Sequence, residues 1–257
     1  MVPDLVLYQY PGVGDLPSIS PPCVKVHLAL RRLGLAYRTV DLASPRQVKR
    51  ESPTGRVPVL TIAGRTVVDS VAILDAIEGL GAGRLSPEDP QSRAIDRLWE
   101  HHATDTLYWI GFWLRWGDPD HSERMLTRLF GAGLSPARLY GRYVLLPRLR
   151  RRARGQGIAL RSREDVLAVM ERACDLLVDG LAGGPFLGGA TEPGRGDLAT
   201  ASLVVEVGFG GTMPAAEASL RRRPALLDHA RRTFEACGLV PPEWLTPSLA
   251  EAPVPST

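Results

Sequence analysis

The pattern of apolar residues changes near residue 85, and this change limits the possible folds more than any other feature of the sequence. Before that point, four short β-prone runs alternate with three helical patterns in the order β-α-β-α-β-β-α. The β-prone runs cover residues 5–10, 37–42, 57–62 and 66–68, and the helical patterns cover residues 22–34, 45–51 and 70–80. This order predicts an α+β domain in which helices pack on a small mixed sheet.

The rest of the chain has helical spacing and almost no strand signal beyond the turn-rich residues 79–90. The predicted helices cover residues 93–116, 136–154, 162–181, 197–207 and 224–237. We therefore predict a thioredoxin-like domain over residues 1–82 and an all-helical domain over residues 88–240. Residues 241–257, with their recurring Pro and Ser, are predicted to form a frayed tail.

The composition is that of an ordinary globular protein. The chain has 31 Lys plus Arg against 28 Asp plus Glu and 44% apolar residues, which excludes wholesale disorder. Residues 138–163 contain nine Arg and no acid. Such a stretch indicates either an anionic partner or a solvated helix face that pairs with acids elsewhere, and we favour the second interpretation. No nucleic-acid partner is expected.

The cysteines and the N-terminus predict a reducing, cytoplasmic location. Cys23, Cys174 and Cys237 are far apart and odd in number, so they give neither a disulfide framework nor a zinc motif. The N-terminus lacks the features of a signal peptide, and no apolar run is long enough to cross a bilayer. We expect no membrane association.

We also expect no metal, because His101 and His102 are adjacent and point to different faces of a helix.

The entry to the first helix has the features of a thiol site. Ser20, Pro21, Pro22 and Cys23 lie where a loop leads into that helix. A helix N-terminus carries unpaired N–H groups and the positive end of the dipole, which stabilise a thiolate. The Ser20 hydroxyl can donate a hydrogen bond to such a thiolate. Alternatively, Ser20 only caps the helix.

Two further segments can bind the rest of a thiol peptide. At Val57-Pro58, before the third strand, a cis peptide bond would leave backbone groups of Val57 open to an extended peptide, although X-Pro bonds are more often trans. At Asp69-Ser70, the start of the third helix can bind a carboxylate while Asp69 binds an ammonium, or the pair can be a simple N-cap. Together the three segments predict a ligand with a thiol, a peptide middle and an amino-acid end, which describes glutathione.

The sequence also resembles the glutathione transferase superfamily, and this resemblance extends over about residues 5–237. The motifs that carry it are SISPPCVKVHLAL, TGRVPVL and VVDSVAIL. The resemblance is closest to the branch of failed-axon-connections and metaxin proteins, through LYQYPGVGDLPSISPPCVKV, RGQGIALRSREDV and GGPFLGG. It implies the two-domain architecture of that superfamily, glutathione as co-substrate and a homodimer.

The resemblance also implies roles for individual residues. Ser20 stands at the position of the activating serine, with Tyr8 as the second choice. Val57, next to Pro58, would pair its backbone with the glutathione cysteine. Asp69 and Ser70 would hold the γ-glutamyl group.

Two positions are open to more than one interpretation. Cys23 lies where the second cysteine of a thioredoxin motif would stand, and we assign it to packing rather than to catalysis. Gly194 replaces the hydroxyl residue of the family's capping box, whose acid is Asp197, so we expect a weaker cap there.

An aromatic stretch in the second domain is the candidate for binding the second substrate. Tyr108, Trp109 and Phe112 belong to an aromatic stretch of the first long helix of the second domain, and part of it could line a pocket for the second substrate. Such stretches are more often core or inter-domain packing.

We predict an enzyme that transfers the glutathione thiolate to a small apolar electrophile. The alternatives are a non-catalytic scaffold of the same fold and thiol-disulfide exchange through Cys23.

Overall fold

A computed structural model describes residues 3–208 and 211–245 of the 257-residue chain. The chain divides into two compact units. One contains the described residues up to Leu85 together with those from Leu227 onward, and the other spans residues 86–226. Within the predicted tail, residues 243–245 form one turn of 3-10 helix, and residues 246–257 lie outside the described residues.

The first unit has the predicted order of elements. They are β1 (Leu5–Gln9), α1 (Pro21–Arg32), β2 (Arg38–Asp41), α2 (Pro45–Glu51), β3 (Val59–Ile62), β4 (Arg65–Val68) and α3 (Ser70–Ile77). The four strands form one mixed sheet in the order β2-β1-β3-β4. The predicted α+β thioredoxin-like fold class is thus confirmed.

Strand direction in the sheet determines where the first and third helices begin. β1 pairs parallel with β2 and antiparallel with β3, and β3 pairs antiparallel with β4. β4 therefore runs in the same direction as β1. Because α1 follows β1 and α3 follows β4, both helices start at the same edge of the sheet, and they pack against each other over fully buried residues such as Leu28 and Ile73.

The second unit is helical throughout its described residues. Its longer elements are α4 (Pro90–His101), α5 (Tyr108–Trp116), α6 (Pro119–Phe130), α7 (Pro136–Tyr140), α8 (Leu146–Gln156), α9 (Arg163–Gly180), α10 (Arg195–Val207) and α11 (Pro214–Arg221). The unit boundary at residue 226 falls inside the last helix, α12 (Pro224–Ala236). Among the described residues, no helix is both long and apolar enough to cross a membrane.

Several helix boundaries differ from the predictions. The predicted helices over residues 93–116 and 136–154 are each interrupted by a π-helical segment, at His102–Leu107 and Gly141–Leu145. The sequence analysis missed α6 and α11. Both begin with a proline at the first helical position, which reads as a loop signal in the sequence but is compatible with a helix start.

The start of α10 is capped by a residue from another helix. Asp197 accepts hydrogen bonds from the backbone N–H groups of Gly194 (2.8 Å) and Leu187 (2.9 Å). Asp96 of α4 accepts one from the N–H of Gly196 (2.8 Å). A Cβ atom at position 194 would lie 2.3 Å from Asp96 Oδ1. The Asp96 carboxylate therefore takes the space and the role of the missing hydroxyl, so the weaker cap expected at Gly194 is compensated.

Candidate functional site

The predicted glutathione-site residues of the first unit lie at one edge of the sheet. Val59 on β3 pairs with Tyr8 on β1 and with Val68 on β4. Val57 comes two residues before Val59 in the chain, and Asp69 directly follows Val68. Ser20 precedes α1, which begins at the same edge. The topology thus brings together residues that are up to 61 positions apart in the sequence.

Ser20 lies at the end of a loop that is fixed by side chains of its own unit. The Ser18 hydroxyl donates to the Tyr10 carbonyl (2.8 Å) and accepts from the Ser20 N–H (3.3 Å). The Gln9 side-chain amide donates to the Pro17 carbonyl (2.9 Å). These bonds hold the loop without using the Ser20 side chain.

The Ser20 hydroxyl itself makes no hydrogen bond with any described residue. Ser20 has the extended backbone of an N-cap (φ −104°, ψ 117°), yet its side chain does not cap the helix. A serine N-cap normally accepts a hydrogen bond from the second or third helical N–H. Because this hydroxyl is half-buried and unused, it is available as a donor to a ligand.

The argument from free helical N–H groups at this point was wrong. The first two positions of α1 are Pro21 and Pro22, which have no N–H. The N–H groups of Cys23 and Val24 both donate to the Ser20 carbonyl, at 2.9 and 3.0 Å. The start of α1 therefore offers a ligand the Ser20 hydroxyl and the helix dipole, but no backbone donor from these positions.

The Val57-Pro58 peptide bond is cis. Pro58 is buried and Val57 is half-buried. Within the described ranges, the N–H and C=O of Val57 form no hydrogen bond with protein groups. The backbone of Val57 therefore has one donor and one acceptor free for a ligand.

Asp69 and Ser70 form the start of α3. The Asp69 side chain caps the helix, because its Oδ1 accepts from the N–H groups of Val71 (2.8 Å) and Ala72 (3.3 Å). Its backbone has φ 76°, a conformation that non-glycine residues rarely adopt and that is found disproportionately at functional sites. The carboxylate is exposed, so it can cap the helix and still reach a cation.

The two secondary candidates differ in accessibility. Tyr8 on β1 is half-buried and stands in the row with Val59. Cys23 is 0% exposed on the inner face of α1. The thiol therefore contributes to the core packing of α1.

The sequence analysis did not identify a buried polar network behind this edge. The Gln9 amide donates to Asp41 (3.0 Å) and to Pro17, so its Oε1 accepts from His27 Nε2 (2.5 Å). His27 Nδ1 then accepts from the Tyr37 hydroxyl (2.7 Å). Burial lowers the pKa of His27 to about 4, although Asp41 raises it. His27 is thus a neutral residue whose two ring nitrogens are both hydrogen-bonded. The role of Gln9 was missed; a polar residue ending a strand was its only signal.

In the helical unit, the three aromatic candidates for the second substrate contact one another. The Tyr108 and Trp109 rings are 5.4 Å apart, Trp109 and Phe112 are 5.4 Å apart, and Tyr108 and Phe112 are 6.0 Å apart between centroids. Arg152 of α8 lies over the Trp109 and Phe112 rings at 5.0 and 5.1 Å. Sequence analysis did not connect Arg152 with these rings.

Part of the arginine stretch at residues 138–163 pairs with acids, as favoured from the sequence. Arg138 and Arg142 both form ion pairs with Glu123 of α6. Arg163 pairs with Asp118 at 2.7 Å. Arg152, in contrast, has an aromatic environment. In the part of the chain that the structure describes, no cluster of three or more His, Cys, Asp or Glu is placed to hold a metal.

Comparisons with known proteins agree with this geometry. A family model described as the glutathione S-transferase N-terminal domain matches residues 21–121. The chain is similar to the isoprene-epoxide–glutathione S-transferase of Rhodococcus sp. (strain AD45), with 30% identity over 193 residues that cover 71% of this chain and 78% of that protein. It is also 31% identical to the Failed axon connections protein of Drosophila melanogaster over 122 residues, 46% of this chain and 27% of that protein.

Solved structures show the same fold. The crystal structure of a rice glutathione S-transferase in complex with glutathione has a TM-score of 0.51 and 19% identity, and the match covers 93% of this chain and 96% of that one. The sequence similarity to the Rhodococcus protein over most of its length confirms the resemblance predicted from the motifs. The chain belongs to the glutathione S-transferase family.

Proposed function

We propose that this protein is a glutathione transferase in which the Ser20 hydroxyl stabilises the thiolate of bound glutathione. The observation that carries this proposal is the unused, half-buried Ser20 hydroxyl at the sheet edge. No nearby N–H of α1 is free to take its place, because Pro21 and Pro22 have none and the next two are bonded.

The reaction needs the thiol in its anionic form. A thiol of ordinary pKa, about 8.5, is only about 3% ionised at pH 7. A hydrogen bond from Ser20 to the sulfur stabilises the thiolate, and the thiol proton leaves to solvent. The sulfur electron pair then forms a bond to an electrophilic carbon or sulfur of the acceptor, and the bond to the leaving group breaks with its electron pair.

The remaining polar groups are assigned to parts of glutathione. The free backbone groups of Val57 pair with the cysteinyl peptide unit. The Asp69 carboxylate takes the ammonium of the γ-glutamyl group, and the hydroxyl and N–H of Ser70 take its carboxylate. We assign the second substrate to Tyr108, Trp109 and Phe112.

We further propose that the protein acts as a cytoplasmic homodimer with domains over residues 1–82 and 88–240. The reducing location is supported by the cysteines, since Cys23, Cys174 and Cys237 are all buried and are not in disulfides. The complete burial of Cys23 also argues against thiol-disulfide exchange as the main activity.

Calorimetric titration with reduced glutathione tests the binding site. We expect saturable binding by the wild-type protein and a loss of at least about tenfold in affinity for Asp69→Ala. Asp4→Ala is the matched control, because it removes an exposed acid before β1, at the opposite edge of the sheet. Absence of binding to the wild type, checked by equilibrium dialysis, would favour the scaffold alternative.

Turnover of Ser20→Ala tests the hydroxyl. With an activated aryl halide such as 1-chloro-2,4-dinitrobenzene as acceptor, we expect kcat to fall about 10- to 100-fold. The dissociation constant of glutathione should change less than about twofold, and the pKa of the bound thiol, followed by thiolate absorbance, should rise. Unchanged turnover together with an unchanged thiol pKa would remove Ser20 from the mechanism and direct attention to Tyr8.

A further inference from the structure

The guanidinium of Arg152 contacts aromatic rings where an arginine usually has a carboxylate partner. Its guanidinium carbon lies 5.0 Å from the centroid of the Trp109 ring and 5.1 Å from that of the Phe112 ring, both on α5. In the described parts of the chain it forms no ion pair with a carboxylate, and its buried Nε has no hydrogen-bond partner. A cation–π contact attracts the guanidinium but leaves its positive charge unneutralised.

A second arginine nearby is only partly satisfied. Arg115, 8% exposed, uses Nη1 to bind Glu206 of α10, which is 4% exposed. Its Nε is buried and has no partner among the described residues. A bidentate pair would use two guanidinium nitrogens, so this contact leaves a buried donor free.

The Tyr108 hydroxyl lies within the field of all three charged groups. Burial raises the pKa of Tyr108, Arg152 and Arg115 lower it, and Glu206 raises it. Burial also raises the pKa of Glu206 to about 7, against the effect of Arg115. The two guanidinium groups, those of Arg115 and Arg152, face one carboxylate, that of Glu206, so these side chains together carry a net positive charge.

The local backbone also marks this region. α5 begins directly after the π-helical segment His102–Leu107, and α8 begins directly after the segment at Gly141–Leu145. Such segments are rare and occur frequently at functional sites. They precede the two helices that carry Tyr108 and Arg152.

We propose that this aromatic–arginine cluster, formed by Tyr108, Trp109, Phe112, Arg115, Arg152 and Glu206, binds the carboxylate of a small organic acid. The inference rests on the proposed function in identifying that acid as the electrophilic second substrate, which then has an apolar body and one carboxylate. The guanidinium groups of Arg115 and Arg152 each have a buried Nε without a hydrogen-bond partner among the described residues, and guanidinium N–H groups are strong donors to carboxylates. The Tyr108 hydroxyl is a third donor.

Binding of a matched acid and amide tests the proposal on the intact protein. 2-Naphthoate and the neutral 2-naphthamide share an apolar body and differ in charge. We expect the wild type to bind naphthoate at least about tenfold more tightly than naphthamide at pH 7, with or without saturating glutathione. Equal affinities, or displacement of naphthoate by glutathione, would overturn the proposal, because displacement would mean that the acid occupies a glutathione carboxylate site.

Three variants assign the preference to the cluster. Arg152→Gln should reduce the preference for the acid to less than about twofold, whereas Arg152→Lys should keep part of it. Arg154→Gln is the matched control, since Arg154 is exposed on the same helix. A full preference in Arg152→Gln would overturn the proposal. Thermal unfolding checks each variant, and if Arg152→Gln fails to fold, Tyr108→Phe replaces it, with an expected severalfold loss of preference.

The outcomes also separate this inference from the proposed function. If glutathione binds but naphthoate shows no preference over naphthamide, the acidic second substrate is wrong and the transferase site stands. If naphthoate is preferred but glutathione does not bind, the cluster is an anion site in a protein that is not a glutathione transferase.

Discussion

Two regions, the sheet edge around Ser20 in the first unit and the start of α10 around Arg195 in the helical unit, use polar groups in opposite ways. In the first unit, the Ser20 hydroxyl and the Val57 backbone are half-buried and make no hydrogen bond with described residues. In the helical unit, the buried Arg195 and Glu100 side chains are both 0% exposed and bind each other at 2.8 Å. Asp96 and Asp197 hold the start of α10 in the same buried region.

This difference indicates what each set of groups does. A buried charge without a partner is very unfavourable, so paired charges in the helical unit are expected to determine stability. A partly exposed hydroxyl without a protein partner costs little, because water satisfies it until a ligand arrives. Substitutions of the paired charges in the helical unit should therefore change stability, and substitution of Ser20 in the first unit should change binding and turnover.

The largest effect is expected for Arg195→Met. Removing the buried guanidinium leaves the fully buried Glu100 with the partly exposed Arg97 as its remaining ion-pair partner, and we expect a loss of about 3 kcal/mol in the free energy of unfolding. Urea unfolding followed by circular dichroism measures it. Arg97→Met is the control, since Arg97 also contacts Glu100 at 2.9 Å but is 34% exposed and should cost much less. If Arg195→Met and Arg97→Met lose the same free energy of unfolding, burial does not determine how much an ion pair with Glu100 stabilises the protein.

The cap supplied by Asp96 gives the next prediction. Gly194→Ser places a Cβ against the Asp96 carboxylate and should destabilise the protein by about 1–3 kcal/mol. In Gly194→Ser combined with Asp96→Ala, the new hydroxyl has room and can cap α10 itself. The double variant should therefore lose less stability than the sum of the two single variants. If the loss of the double variant in urea unfolding equals the sum of the two single losses, the Asp96 carboxylate does not stand in for a hydroxyl at position 194.

A smaller effect concerns pH. Burial raises the pKa of Asp96 to about 6. A folded-state pKa above the unfolded value means that the folded state binds the proton more tightly, so this contribution to stability is present at low pH and is lost as pH rises through about 6. Relative to Asp96→Asn, the wild type should gain about 1–2 kcal/mol between pH 7 and pH 4.5. If the difference in the free energy of unfolding between the wild type and Asp96→Asn stays constant across this range, the pKa of Asp96 is not raised.

The smallest effect on stability is expected for Ser20→Ala, in contrast to its effect on turnover. Because the hydroxyl does not cap α1, the free energy of unfolding should change by less than about 0.5 kcal/mol. Ser162→Ala is the comparison: Ser162 accepts from the Asp165 N–H at 3.1 Å at the start of α9 and should cost about 1 kcal/mol. A loss at Ser20 as large as that at Ser162 would make Ser20 a structural cap.

The sequence predicted most of the first unit correctly, because its signals are local. Short β-prone runs predicted the strands, and helical spacing of apolar residues predicted α1, α2 and α3. The candidate positions Ser20, Val57 and Asp69 each follow from a few neighbouring residues. The same local reasoning failed at helices that begin with proline. It missed α6 and α11. It also predicted free N–H groups beside Ser20, which are absent because two prolines begin α1.

The groups that only tertiary structure identified are far apart in sequence. Arg115 and Glu206 are separated by 91 positions, and Asp96 and Gly196 by 100. No spacing rule connects such residues, since burial and charge pairing depend on how helices pack. The sequence alone established the order of strands and helices in the first unit, the family and the candidate thiol site, because these depend on contiguous residues. The tertiary structure decided which charges are paired, which hydroxyl is unused and where Arg152 lies, because these depend on contacts between distant segments.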